Sequence, residues 1–168
     1  MLIALDFSAV LASWPLLVRG VVWTIALTIV GTVLGLLLGT ACAWALARNL
    51  GHGPAPLRWA VASYVELVRN TPFIVQLFFL FFGLPALGLK LSPEFASVLA
   101  MVINLGAYSA EIIRAGIEAT PRGQIEAAHS LALTPGQTFW RVVLPPALQK
   151  VWPAMVSQII IVMLGSAV

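Results

Sequence analysis

Four ionisable side chains stand where charge is expensive: Glu66, Arg69, Glu111 and Arg114 lie in or at the ends of long apolar stretches. A charge at mid-membrane costs about 2.5 to 3.5 kcal/mol on insertion scales, so residues of this kind face protein or water rather than lipid. Glu66 with Arg69 and Glu111 with Arg114 are each three residues apart, a spacing that puts both members on one helix face. Each pair can neutralise itself as a salt bridge near a helix end, or take part in a polar path, and the residues leave both open. Gln76 and Asn104 are uncharged but polar well inside their stretches, where bonding to a neighbouring helix is the simpler role and contact with a passing solute the other. Between the charged and the uncharged groups sits Asn70-Thr71-Pro72. Proline removes a helical hydrogen bond and biases Thr71 away from helix. Backbone groups freed at membrane depth are tolerated chiefly where they are buried or line a cavity, which makes this break the leading candidate for a pathway.

Catalysis has no foothold in the sequence. His52 and His129 lie on different segments, and no metal-ligand spacing, nucleophile motif or Gly-rich phosphate loop is present. The one cysteine, Cys42, lies inside an apolar run, where a small buried side chain is the expected role, and neither a disulfide nor a thiolate metal site can be built from it alone. The chain is therefore not expected to be an enzyme or to bind a cofactor.

The elements that position these residues follow from composition. Of 168 residues 61% are hydrophobic and 9% charged, whereas a water-soluble domain has a charged share of about 25%. Lipid is the solvent for most of the chain, and an all-helical membrane protein of about four crossings is predicted, at roughly 20 apolar residues each. The net charge of +3 comes from singly scattered Lys and Arg residues that form no stripe, so nucleic acid is not an expected partner. No basic residue precedes the first apolar stretch, so the N-terminus does not read as a cleaved signal peptide.

Residues 1–15, broken by Asp6, Ser8 and Ser13 and closed by Pro15, are too short to span and belong at the membrane interface. Residues 16–168 form the membrane domain. Its first span runs from about Leu16 to Ala47 and carries Gly31, Gly35 and Gly39 on one face, a surface for close helix packing. A Gly- and Pro-rich linker from Arg48 to Pro56 leads to a second stretch, Leu57 to Leu89, interrupted at Asn70-Thr71-Pro72. After a short polar connection at Lys90, a third span covers about Glu94 to Ala119, with Pro93 in its first turn. A polar segment follows, and Pro145-Pro146 open a fourth apolar stretch within which the chain stops. Arg48 and Arg58 flank the first connection and Arg122, Arg141 and Lys150 the third, whereas the second holds only Lys90. Positive charge marks the cytoplasmic side, so the N-terminus and the Lys90 loop are expected outside, Arg19 being a mild exception.

Residues 120–145 form the most informative connection. Thr120 could cap a helix opening with Pro121, and Thr134, Pro135 and Gln137 make a capping-box arrangement for a second. Ile125, Ala128, His129 and Ala132 would share one face, while Phe139, Trp140, Val143 and Leu144 would supply apolar surface for docking. Glu126, on its own, is an acid favoured in the first turns of a helix.

Glu126-Ala127-Ala128, then Ala132, then Val142, Leu144 and Pro145, resemble the E-A-A loop of ABC importer permeases, with Ala132 where that family usually has glycine and Val142 where it has isoleucine. Glu66-Leu67-Val68-Arg69-Asn70-Thr71-Pro72 with Val75-Gln76-Leu77, and Ala107-Tyr108-Ser109-Ala110-Glu111 through Arg114-Ala115-Gly116, are similar to the polar amino acid uptake branch of that family. The resemblance implies a type I ABC importer transmembrane domain in the bacterial inner membrane, with four spans present of the usual five and thus a fragment lacking its last span. It implies docking of an ATPase subunit through Glu126, Ala127, Ala128, Ala132, Leu144 and Pro145. It further implies ATP and Mg on that ATPase, a periplasmic solute-binding protein, a second permease subunit of the same or a related kind, and a polar amino acid as substrate. Glu66, Arg69, Asn70, Thr71, Pro72, Gln76, Asn104 and Glu111 are then the candidate path residues. The competing reading is a secondary carrier driven by an ion gradient, in which Glu66 or Glu111 takes up a proton and no docking loop is needed.

Overall fold

Three consecutive glycine contacts define the centre of the molecule. The computed structural model describes residues 8–47 and 54–166, all of whose regular elements are helical. A short helix α1 (Ser8–Ala12) leads into α2 (Trp14–Leu46), which begins with Trp14 rather than Leu16 because Pro15 fits its first turn. Gly31, Gly35 and Gly39 of α2 lie against Met101, Leu105 and Ser109 of α6 (Pro93–Glu118). Both series rise by four, so the two helices run parallel. A Cβ on Gly39 would sit 2.5 Å from the Ser109 Cβ and 2.9 Å from the Gly106 carbonyl oxygen, which only glycine avoids. Parallel α2 and α6 agree with two spans that both run inward from the outer side. The Cys42 side chain is buried beside Val65 and Ala110, as its apolar setting predicted.

No residue from position 8 to 30 with described burial is buried, whereas α6 buries twelve. Trp14 and Trp44 stand 30 residues apart on α2, about 45 Å at 1.5 Å per residue, which matches a bilayer with its headgroups. Helix α9 (Leu144–Gly165) packs antiparallel on α6: Gly116 meets Ala147 and Val151 near the foot of α6, and Val162 joins Met101 and Leu105 near its top.

The second stretch is broken more sharply than a kink. Helix α3 (Ala55–Arg69) and the run from α4 (Phe73–Phe78) through a π-helical turn (Phe79–Gly83) to α5 (Leu84–Ala86) meet at 107°. Among the described residues three helical runs are long and apolar enough to cross a membrane, Trp14–Leu46, Pro93–Glu118 and Pro135–Gly165, and the bent pair makes a fourth crossing if taken together. The expected linker lies mostly at positions outside the described residues, including Arg48 and His52.

The polar segment departs from expectation in two ways. Helix α7 (Arg122–Ser130) is capped by Pro121 without a side-chain bond, so Thr120 is not its cap and is instead buried. The second short helix is not separate: α8 (Pro135–Thr138), opened by the full Thr134/Gln137 capping box, continues through a π-helical turn (Phe139–Val143) into α9. Both π turns precede a Leu-Pro pair, 84–85 and 144–145. A proline ring clashes with the carbonyl four residues back and offers no N–H to it, and a widened i→i+5 turn relieves that conflict.

Candidate translocation cavity and coupling surface

Gln76 holds the break together. Its Nε2 donates to the carbonyl oxygens of Val68 and Thr71, both at 2.8 Å. Pro72 has no N–H to give Val68, so the side-chain amide supplies the missing donor. The Gln76 Oε1 accepts from Asn104 Nδ2 on α6 at 3.1 Å, and Tyr108 Oη donates to the Arg69 carbonyl at 3.4 Å. Thr71 Oγ1 donates to the Leu67 carbonyl at 2.8 Å. The freed backbone groups of the break are thus met largely by side chains of α4 and α6, and Gln76 and Asn104 form the interhelical bond their polarity suggested.

Below the break opens a cavity of about 1010 Å³ between α3 and the lower half of α6, with Asn70 and Tyr108 at one end and Ala55 and Glu118 at the other. Six charged side chains line it: Arg58, Glu66 and Arg69 from α3, and Glu111, Arg114 and Glu118 from α6. Arg114 donates to both carboxylate oxygens of Glu111, at 2.9 and 2.5 Å, and to Glu118 Oε1 at 2.7 Å. The expected Glu111–Arg114 pair therefore forms, as part of a triad. The expected Glu66–Arg69 pair does not: the Arg69 guanidinium lies 5.7 Å from the centroid of the Tyr108 ring, drawn to its π face, and Glu66 has no ionic partner among the described residues. Sequence reasoning missed Arg58, Tyr108 and Glu118. Glu118 lies four residues beyond Arg114, a spacing that could have flagged it; Tyr108 gave no signal, because its partners come from a distant segment.

Helix α7 is anchored on one side and open on the other. Ile125 and Ala128 are buried, Ile125 joining a core of Ile113, Ile117, Phe139, Val143 and Leu144, while Glu126, Ala127 and His129 are exposed. Of the residues expected to dock a partner, Glu126, Ala127, Ala132 and Pro145 are exposed, but Ala128 and Leu144 are 2% and 6% exposed. Leu144 belongs to that same core, and Ala128 is likewise buried in the chain's own interior. The same holds for Phe139 and Val143, leaving Trp140 as the exposed aromatic of the predicted apolar face.

The turn after α7 explains one departure from the family pattern. Ala132 N donates to His129 O at 2.9 Å and Leu133 N to Ala128 O at 3.2 Å, the paired bonds of a Schellman ending, and Ala132 sits at φ 55°. That left-handed position favours glycine, the residue the E-A-A pattern has there.

Residues 31–168 match the family described as the binding-protein-dependent transport system inner membrane component. The chain belongs to that family. Among this permease's relatives is the L-cystine transport system permease protein TcyB of Bacillus subtilis (strain 168), 39% identical over 142 residues that cover 84% of this chain and 59% of that protein. The arginine transport system permease protein ArtQ of the same organism is 34% identical over 165 residues, covering 98% of this chain and 74% of ArtQ. This permease thus spans less than two thirds of the cystine protein's length. Its fold resembles a crystal structure of an amino acid ABC transporter with histidines, with a TM-score of 0.81 and 35% identity over 98% of this chain and 75% of that one. An inward-facing structure of the MetNI methionine ABC transporter aligns with a TM-score of 0.74 and 27% identity, over 93% of this chain and 73% of that one. The all-helical arrangement is that of the type I importer transmembrane domains, as the E-A-A resemblance implied.

Proposed function

We propose that this chain is the membrane permease of an ATP-driven importer for polar amino acids in the bacterial inner membrane. The observation that carries the reading is the charged cavity beneath the break, set one turn from the α7 loop, in a chain whose relatives are named for cystine and arginine transport. Glu66, Arg69, Asn70 and Glu111 line the path, and Thr71, Pro72, Gln76 and Asn104 shape its upper end. A second permease subunit closes the other wall, and a periplasmic binding protein delivers the amino acid near the Lys90 loop, with the N-terminus on the same outer side.

Coupling runs through α7. An ATPase subunit, holding ATP and Mg, receives the exposed face with Glu126 and Ala127, while Ile125 ties that helix into the core at the feet of α6 and α9. Movement of α7 is therefore passed to α6, which forms one wall of the cavity, and to α9 packed on it. The test is uptake of a labelled amino acid panel into proteoliposomes holding the whole protein with its ATPase and binding protein. Uptake that requires ATP and the binding protein supports the importer; uptake driven by a proton gradient without ATP overturns it in favour of a secondary carrier.

A further inference from the structure

The six charges of the cavity are arranged with opposite signs on opposite walls. Val65 packs with Ala110, and the Arg69 carbonyl meets Tyr108, so moving down α3 corresponds to moving on along α6 and the helices are antiparallel. Continuing that register by two turns brings Arg58 level with Glu118, while Arg69 lies beside Tyr108 with Glu111 one turn below. Glu66 falls level with Glu111, with Arg114 one turn further toward the cytoplasmic end. Side chains tilt toward the N-terminus of their own helix, so those of α3 lean toward the loop end and those of α6 lean away from it, toward each other's levels. Each positive group on one wall therefore has a negative group opposite.

Among the described residues no ion pair crosses the cavity: the pairs of Arg114 with Glu111 and with Glu118 stay within α6. Arg58 and Glu66 are left without an ionic partner among the described residues. Helix α3 is also the wall least held in place, burying only Val65 and Val68 of its fifteen residues, against twelve buried in α6. Few buried contacts mark an element that moves at small cost, and the 107° break at Asn70-Thr71-Pro72 separates it from the segment beyond.

We propose that this cavity closes by a charge zipper, in which α3 swings onto α6 and Arg58–Glu118, Glu66–Arg114 and Arg69–Glu111 pair across it. The open form keeps Arg114 occupied by Glu111 and Glu118 and leaves the three α3 charges without ionic partners among the described residues; the closed form exchanges the partners of Arg114 for Glu66, so that all six charges pair across the cavity. The zipper rests on the importer reading above, in which this cavity is the inward-open end of the path.

Charge exchange tests it in the complete transporter. Arg58→Glu and Glu118→Arg, each alone, are expected to lower ATP-dependent uptake at least fivefold, and the double exchange to restore it to within twofold of the parent. A second measurement does not depend on the exchanged charges being tolerated: Arg58→Cys with Glu118→Cys in a Cys42→Ala background, oxidised with and without ATP and vanadate. Disulfide yield is expected to rise at least tenfold in the trapped state. Double-exchange uptake no better than the single variants, or a yield that trapping leaves unchanged, overturns the zipper while parental uptake keeps the importer reading standing; absence of ATP-dependent uptake in the parent overturns both.

Discussion

Ala132 shows how one side chain can sit at odds with its backbone. At φ 55° an L-residue costs roughly 1 to 2 kcal/mol, and glycine escapes that cost while losing about 0.5 to 1 kcal/mol in chain entropy. Ala132→Gly is therefore expected to stabilise the α7 ending by about 0.5 to 1 kcal/mol, read as a higher thermal midpoint of the detergent-purified protein. Gln76 is the opposite case, a polar residue whose bonds all matter. Gln76→Leu leaves Thr71 O and Asn104 Nδ2 without the partners they have here, while Val68 O keeps the Thr71 N–H at 3.3 Å, a loss of about 1 to 3 kcal/mol for each part-buried group left unpaired. The same melting measurement should fall, and Asn104→Leu alone should cost less because it leaves the two backbone bonds intact. At this scale the sequence spoke well for polar residues in apolar surroundings, since the expense of burying them marks them out. It spoke poorly for the Glu66–Arg69 pair, where correct spacing on one helix lost to the π face of Tyr108 from another.

Elements were legible where a physical conflict was written into a few adjacent residues. The break at Asn70-Thr71-Pro72, the capping box at Thr134 and the glycine series of α2 all follow from local chemistry. What the glycines could not reveal was their partner, because Met101, Leu105 and Ser109 carry no mark of where they pack. The continuity of α8 with α9 was hidden for a related reason: the Leu144-Pro145 pair reads as a boundary, yet a π turn absorbs the proline and the helix runs on. Phe139, Val143 and Leu144 likewise read as surface for a partner when they are the anchor of their own loop. Gly39→Leu should disrupt α2 and α6 by about 3 kcal/mol, since the added atoms meet backbone that cannot give way. Gly123→Ala, with nothing within 4 Å of the added Cβ, should leave the protein as stable or slightly more so. Thermal melting of the two variants side by side checks both.

At the scale of the whole molecule, two surfaces are joined by one core. The cluster of Ile113, Ile117, Ile125, Phe139 and Val143 ties α7 to the feet of α6 and α9, and α6 forms one wall of the charged cavity. In the coupling proposed above, a push on the exposed Glu126 face would reach the cavity wall through these packed side chains. The apolar runs made the membrane setting legible, whereas the cavity itself was not, because its two walls are about 40 to 60 residues apart in sequence. The most direct measurement is ATP-dependent amino acid uptake by the reconstituted transporter carrying Glu126→Arg, beside Gln149→Arg as an exposed substitution outside α7. Coupling through α7 predicts that Glu126→Arg lowers uptake at least tenfold while Gln149→Arg stays within twofold of the parent; parental uptake by the Glu126→Arg protein would contradict it.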